Sequence, residues 1–179
     1  MAKTFDIIIA VNVDNIVENR RYGGTEISKA TEIKSDENLI HILTTDKKIP
    51  KIIDSNEGEF SLSNVEQDDV INWRAISLSS HNSPNSVVLE NYIQSLTPFS
   101  TNSDILSNPQ LKLIRMQRPI IVSTNPLQVE AQELHLSYWT SKVLNIPNAS
   151  YSYRCYFRVY NNGTFLGYNM WEHKITLNM

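Results

Sequence analysis

The sequence predicts an all-β fold: an antiparallel β-sandwich, jelly-roll-like, of about eight strands with long loops. Three observations predict it. Tyr151 to Val159 reads YSYRCYFRV, with Tyr151, Tyr153, Cys155, Phe157 and Val159 on one face and Ser152, Arg154, Tyr156 and Arg158 on the other. That period-two alternation marks a strand with one face in a core. Asn161-Asn162-Gly163 follows, and Thr164 to Leu177 reads TFLGYNMWEHKITL. An Asn-Gly pair between two apolar runs signals a hairpin, because both residues tolerate the positive φ of tight turns. The rest of the chain repeats the theme of short β-branched or aromatic runs divided by polar turns.

Taken in order, Phe5 to Val13 (FDIIIAVNV) reads as a central strand with both faces covered. Residues 14–34 read as irregular, with a helical turn N-capped by Asp14 and a turn at Gly23-Gly24. Short strands are expected at Leu39–Leu43, Pro50–Ile53 and Glu59–Leu62, with a loop at 54–58. Val70 to Leu78 (VINWRAISL) and Val87 to Ile93 (VVLENYI) are strands around the polar loop Ser79–Ser86. The Ser-, Asn- and Pro-rich stretch 97–110 reads as a long surface loop. Leu111 to Val122 is extended, and Gln128 to Trp139 suits either period but reads better as a strand ending at Trp139. With no repeat and no linker, residues 1–179 are expected to form a single domain.

Composition narrows the function. The 179 residues carry a formal net charge of −3 and 41% hydrophobic residues. Without a basic excess, nucleic acid is not expected as a partner. No apolar run approaches the roughly 20 residues of a membrane span, so no membrane partner is expected either. MAKTFD lacks a signal-peptide layout, which points to a cytoplasmic protein or one exported by a route that leaves no such signal. The single cysteine, Cys155, sits on an apolar strand face and is expected to be a buried, inert thiol.

No constellation announces catalysis. The histidines are His41, His81, His135 and His173, and no Gly-x-Ser-x-Gly elbow accompanies them. Glu172 and His173 are adjacent, so in a strand they point to opposite faces and are poorly placed to share a metal. Glu66, Asp68 and Asp69 read as a solvated turn rather than a calcium loop. Gly23-Gly24 belongs to no phosphate-binding motif, and Arg20-Arg21 reads as a solvated pair. No catalytic residue, metal site or cofactor is therefore expected, and the protein is expected not to be an enzyme. The aromatics are read mainly as core. The best candidate ligand site is Trp171 with Asn169, Tyr168, Glu172 and His173, since a ring face beside polar groups is a common way to hold a sugar.

Four segments together resemble one known family. They are the opening strand IIIAVNVDNI, the acidic turn and strand DDVINWRAISLS, the Tyr138-Trp139 step, and LGYNMWEHKITL. They resemble the bacterial inclusion body protein family PixA, which also includes the AidA proteins. The chain departs from the family's terminal Gly-Tyr-x-x-Trp-Asp-Pro pattern at Glu172-His173, where Asp-Pro is usual. The resemblance implies a cytoplasmic protein made in quantity, deposited in some members as crystalline inclusions, and it implies no catalytic residue. Two functions follow as expectations. The first is a non-enzymatic, self-associating inclusion or storage protein whose partner is itself, as homo-oligomer or lattice. The second is a lectin-like protein binding carbohydrate or another small ligand.

Overall fold

The structure, a computed structural model, describes residues 2–34, 38–44, 59–80, 82–94, 105–145 and 150–177. Ten strands run through them: β1 (Thr4–Val11), β2 (Thr31–Glu32), β3 (Ile40–Thr44), β4 (Glu59–Leu62), β5 (Val70–Ser77), β6 (Asn85–Gln94), β7 (Gln110–Thr124), β8 (Leu127–Lys142), β9 (Ser150–Asn161) and β10 (Thr164–Leu177). One short helix, α1 (Val13–Glu18), follows β1. The strand expected at Pro50–Ile53 and the loop at 54–58 lie outside the described residues.

The strands form two sheets. The first has the order β3-β1-β5-β8-β7, the second β2-β10-β9-β6, with β4 also on β10. The all-β expectation holds, but the sheets are mixed rather than purely antiparallel. β1 runs parallel to β5, and β10 runs parallel to both β2 and β4. Parallel neighbours need a long crossover, which a reading of hairpins between adjacent runs does not reveal. Residues of both sheets share one core. Ile7, Ile9, Ile71 and Trp73 come from the first, and Tyr92, Tyr153, Phe157 and Trp171 from the second.

β1 is central, as its near-continuous apolar sequence requires, between β3 and β5. α1 is N-capped two residues earlier than expected. Asn12 accepts from the Asn15 amide, and Asp14 instead turns outward to Ser80, Ser83 and Asn85. There its carboxylate accepts from the Ser80 amide (2.7 Å), the Asn85 amide nitrogen (2.8 Å) and the Ser83 hydroxyl. These bonds, that of Ser83 foremost, hold its pKa down to about 2. The stretch before β7 is not wholly a surface loop: Ile105 and Leu106 are buried, and Leu106 bridges to Val143.

The terminal hairpin forms as read. Asn162 and Gly163 both have positive φ (46° and 75°), the signature of a type I′ turn. On β9, Tyr153, Cys155, Phe157 and Val159 are buried in alternation, and burial pushes the Cys155 thiol pKa up. Gly23-Gly24 lies along β10 through bonds from the Gly23 amide to Tyr168 (2.9 Å) and from the Tyr168 amide to Gly24 (3.1 Å). A methyl group on Gly167 would stand 2.1 Å from the Gly23 carbonyl oxygen. Gly167→Ala is therefore expected to force these backbones apart and lower stability by about 1–3 kcal/mol, read from the urea midpoint. Gly163→Ala, whose side chain would meet open space, should cost less, through φ alone.

Candidate interaction site: an exposed ribbon and the fork at its root

β7 and β8 are the longest strands in the chain, 15 and 16 residues. They pair with each other along their full length, from Gln110↔Thr140 to Thr124↔Leu127. β5 pairs with β8 only from Trp139 to Lys142. Beyond Trp139 the two strands therefore leave the sheet as a two-stranded ribbon about 40 Å long. Asn125-Pro126, joined by a cis peptide bond, turns it at the tip.

The root is anchored. Trp139 packs against the core, and its indole nitrogen donates to the Leu89 carbonyl of the other sheet (2.9 Å). Trp139 thus fixes one face of the ribbon as inner, shared by Leu111, Leu113, Arg115, Ile121 and Val129. The outer face carries Lys112, Ile114, Met116, Arg118, Glu130, Leu134, Leu136 and Tyr138.

Most of this apolar surface is uncovered. Of the thirteen exposed large hydrophobic residues among those described, nine belong to the ribbon, with Leu113 at 74%, Leu127 at 65% and Ile121 at 64%. Among the described residues both edges are open as well: β7 borders only β8, and β8 before Trp139 borders only β7. An isolated two-stranded ribbon is marginal in water. A surface of this kind marks an interaction site.

At the fork where β8 leaves β5 a cleft of about 290 Å³ opens, lined by Asp6, Asn72, Arg74, Ile114, Leu136 and Tyr138 among others. Asn72 donates to the Asp6 carboxylate (2.9 Å). The cleft is the concave end of the ribbon's outer face.

The ligand cluster expected from sequence is divided by the strand that carries it. Trp171, Asn169 and His173 point into the core and are almost fully buried. Glu172 points outward and pairs with Arg154 (2.8 Å). Tyr168 lies on the same side as Glu172, its hydroxyl accepting from Arg158 Nε (3.1 Å) and its ring edge-on to Phe165 at 5.1 Å. These five residues therefore form no common platform. Asn169 Nδ2 donates to the Arg21 carbonyl (2.6 Å) and the Thr31 carbonyl (3.2 Å), tying β10 to the 20–31 segment.

Trp171 and His173 join an aromatic column between the sheets. Their rings stack at 4.2 Å and 14°. Trp73 stacks on Tyr92 at 4.2 Å, and Tyr92 on Tyr153 at 5.0 Å. His173 stands 6.1 Å from Trp73 and 5.9 Å from Tyr92. Burial lowers its pKa to about 3, so the imidazole is neutral at pH 7.

The acidic turn is likewise structural. Asp69 is buried and accepts from the Lys3 amide (2.7 Å) and the Glu66 amide (2.8 Å). Glu66 pairs with Lys3 and Asp68 with Lys142, so the three carboxylates do not converge. His81 lies outside the described residues, and His135 pairs with Glu133 on the ribbon (2.7 Å). No group of three metal-binding side chains occurs among the described residues. Among the described residues no helix is long and apolar enough to cross a membrane.

The family model for the PixA inclusion body proteins matches residues 3–177. The chain belongs to the PixA family. A solved PixA-family structure, an inclusion body protein from Burkholderia cenocepacia J2315, superposes with a TM-score of 0.71. At 14% identity, covering 98% of this chain and 96% of that one, the likeness is one of fold. Among curated proteins none matches the chain. Two of the four family-like segments read from the sequence carry core tryptophans of opposing sheets, Trp73 and Trp171. At the point where this chain has Glu172-His173 in place of Asp-Pro, a buried imidazole fills the space between Trp171, Tyr153 and Tyr92.

Proposed function

We infer that this PixA-family chain is a non-enzymatic, self-associating protein that accumulates as inclusions in the bacterial cytoplasm. The ribbon carries the reading. Among the described residues it gathers most of the exposed large hydrophobic side chains into one protruding element with two open edges. Covering each such Leu or Ile with a second copy would contribute about 1.5–3 kcal/mol, so a few suffice to drive association. The low net charge of −3 adds little mutual repulsion.

The test compares the full chain with a variant carrying serine at Leu113, Ile114, Met116, Ile121 and Val129. Expressed in bacteria, the wild-type chain is expected to form sedimentable particles that yield oligomers on redissolving. The serine variant is expected to remain a soluble monomer with an unchanged melting temperature of the body. A wild-type chain that is monomeric at its highest soluble concentration would sink the reading.

A further inference from the structure

Resting on that reading of self-association, we propose that two copies clasp through their ribbons, outer face on outer face, about a two-fold axis running along the ribbon. Each β7 then lies over the partner's β8.

The choice of face comes from the rungs. On the outer face Ile114 pairs with Leu136 and Met116 with Leu134, giving two adjacent apolar rungs. Lys112/Tyr138 bounds them on one side and Arg118/Gln132 on the other. On the inner face the corresponding stretch is charged and polar, Arg115/His135 then Gln117/Glu133. An apolar centre with a polar rim is the usual anatomy of a protein interface.

The axis comes from charge. Between Gln110 and Thr124, β7 carries Lys112, Arg115 and Arg118 and no acidic residue. Between Leu127 and Tyr138, β8 carries Glu130 and Glu133 and no lysine or arginine. A two-fold axis across the strands would lay β7 on β7, cation on cation. An axis along the strands keeps every rung at its own height and exchanges the strands. Ile114 then faces Leu136 of the second copy, Met116 faces Leu134, and Lys112 faces the Tyr138 ring. Sheets stacked about 10 Å apart bring Arg118 within reach of Glu130 of the second copy, one same-face residue further along. Arg118 and Glu130 form no ion pair within one copy among the described residues. Each dimer contains every such contact twice, and the two bodies flank the paired ribbons on opposite sides. The stack also closes over the fork cleft, whose wall includes Ile114 and Leu136.

Sedimentation equilibrium on the redissolved full chain tests this with Arg118→Glu, Glu130→Arg and their equimolar mixture. Each single reversal opposes like charges twice per dimer and is expected to raise the dimer dissociation constant about tenfold or more. Mixing the two variants restores both opposed pairs across the interface, while the repulsion inside each ribbon remains. The mixture is therefore expected to return toward the wild-type value. Circular dichroism melts check that both bodies are folded, and recovery on mixing excludes ribbon melting as the cause. Variants that dimerise as tightly as the wild type, or a mixture that stays dissociated, would overturn the clasp and leave self-association standing. A wild-type chain that never dimerises removes both.

Discussion

Trp73→Ala is expected to destabilise the protein by about 3–5 kcal/mol, the loss typical of a buried tryptophan replaced by alanine. Trp73 is the fully buried residue through which the first sheet meets the aromatic column of the second. It stacks on Tyr92 at 4.2 Å, and that ring stacks in turn on Tyr153. Removing the indole leaves a void between sheets held apart by Tyr92, Tyr153 and Trp171, which cannot all collapse into it. Urea denaturation followed by tryptophan fluorescence and circular dichroism gives the value. Trp73→Phe keeps most of the ring volume and should recover more than half of the loss. A loss below about 1 kcal/mol would mean that Trp73 is not a core residue.

The second large effect is an acid lability centred on one imidazole. His173 has its pKa lowered by burial from 6.5 to about 3 in the folded protein, while the unfolded chain keeps the ordinary value. Between those values the unfolded state binds the proton and the folded state does not. The neutral imidazole's place in the core is therefore at full strength above pH 6.5. Stability falls as pH drops through 6.5 towards 3, by about 1.4 kcal/mol per unit, and at pH 4 the total is roughly 3 kcal/mol. His173→Phe, which keeps a flat ring against Trp171, should flatten the profile in this window. Equal slopes between pH 4 and 6 for the wild type and His173→Phe would show that the imidazole is not the group concerned.

Much of the fold was legible because it rests on local rules. The alternation of β9, the Asn162-Gly163 turn and the continuous apolar β1 each follow from side-chain period or backbone sterics, and the structure carries all three. Buried Cys155 follows in the same way. The parallel pairings of β1 with β5 and of β10 with β2 and β4 leave no local trace, since they join segments remote in sequence. The ribbon shows the complementary difficulty. Leu113-Ile114 and Ile120-Ile121-Val122 put apolar residues on both faces of β7, a pattern that suits a strand covered on both sides. Whether a neighbour of the same chain supplies the cover is a matter of topology. The ligand cluster, by contrast, could have been corrected from sequence. Asn169, Trp171 and His173 share parity with Ile175 and Leu177, the apolar face of their own strand, and the structure buries them together.

The position of β10 in the chain has a consequence for biosynthesis. β2, β4 and β9 all hydrogen-bond to it, and among the described residues β2 and β4 pair with no other strand. These two segments must wait for a partner made more than a hundred residues later. Meanwhile Ile33 and Leu62, which end up buried beside them, stay in solvent. A growing polypeptide can assemble β1, β3 and β5 early, but the second layer closes only when Lys174–Leu177 arrives to receive β4. Contacts of such long sequence separation fold slowly. A growing chain thus passes through half-layered molecules with the ribbon already exposed, and any association through that ribbon competes in time with completion of the fold.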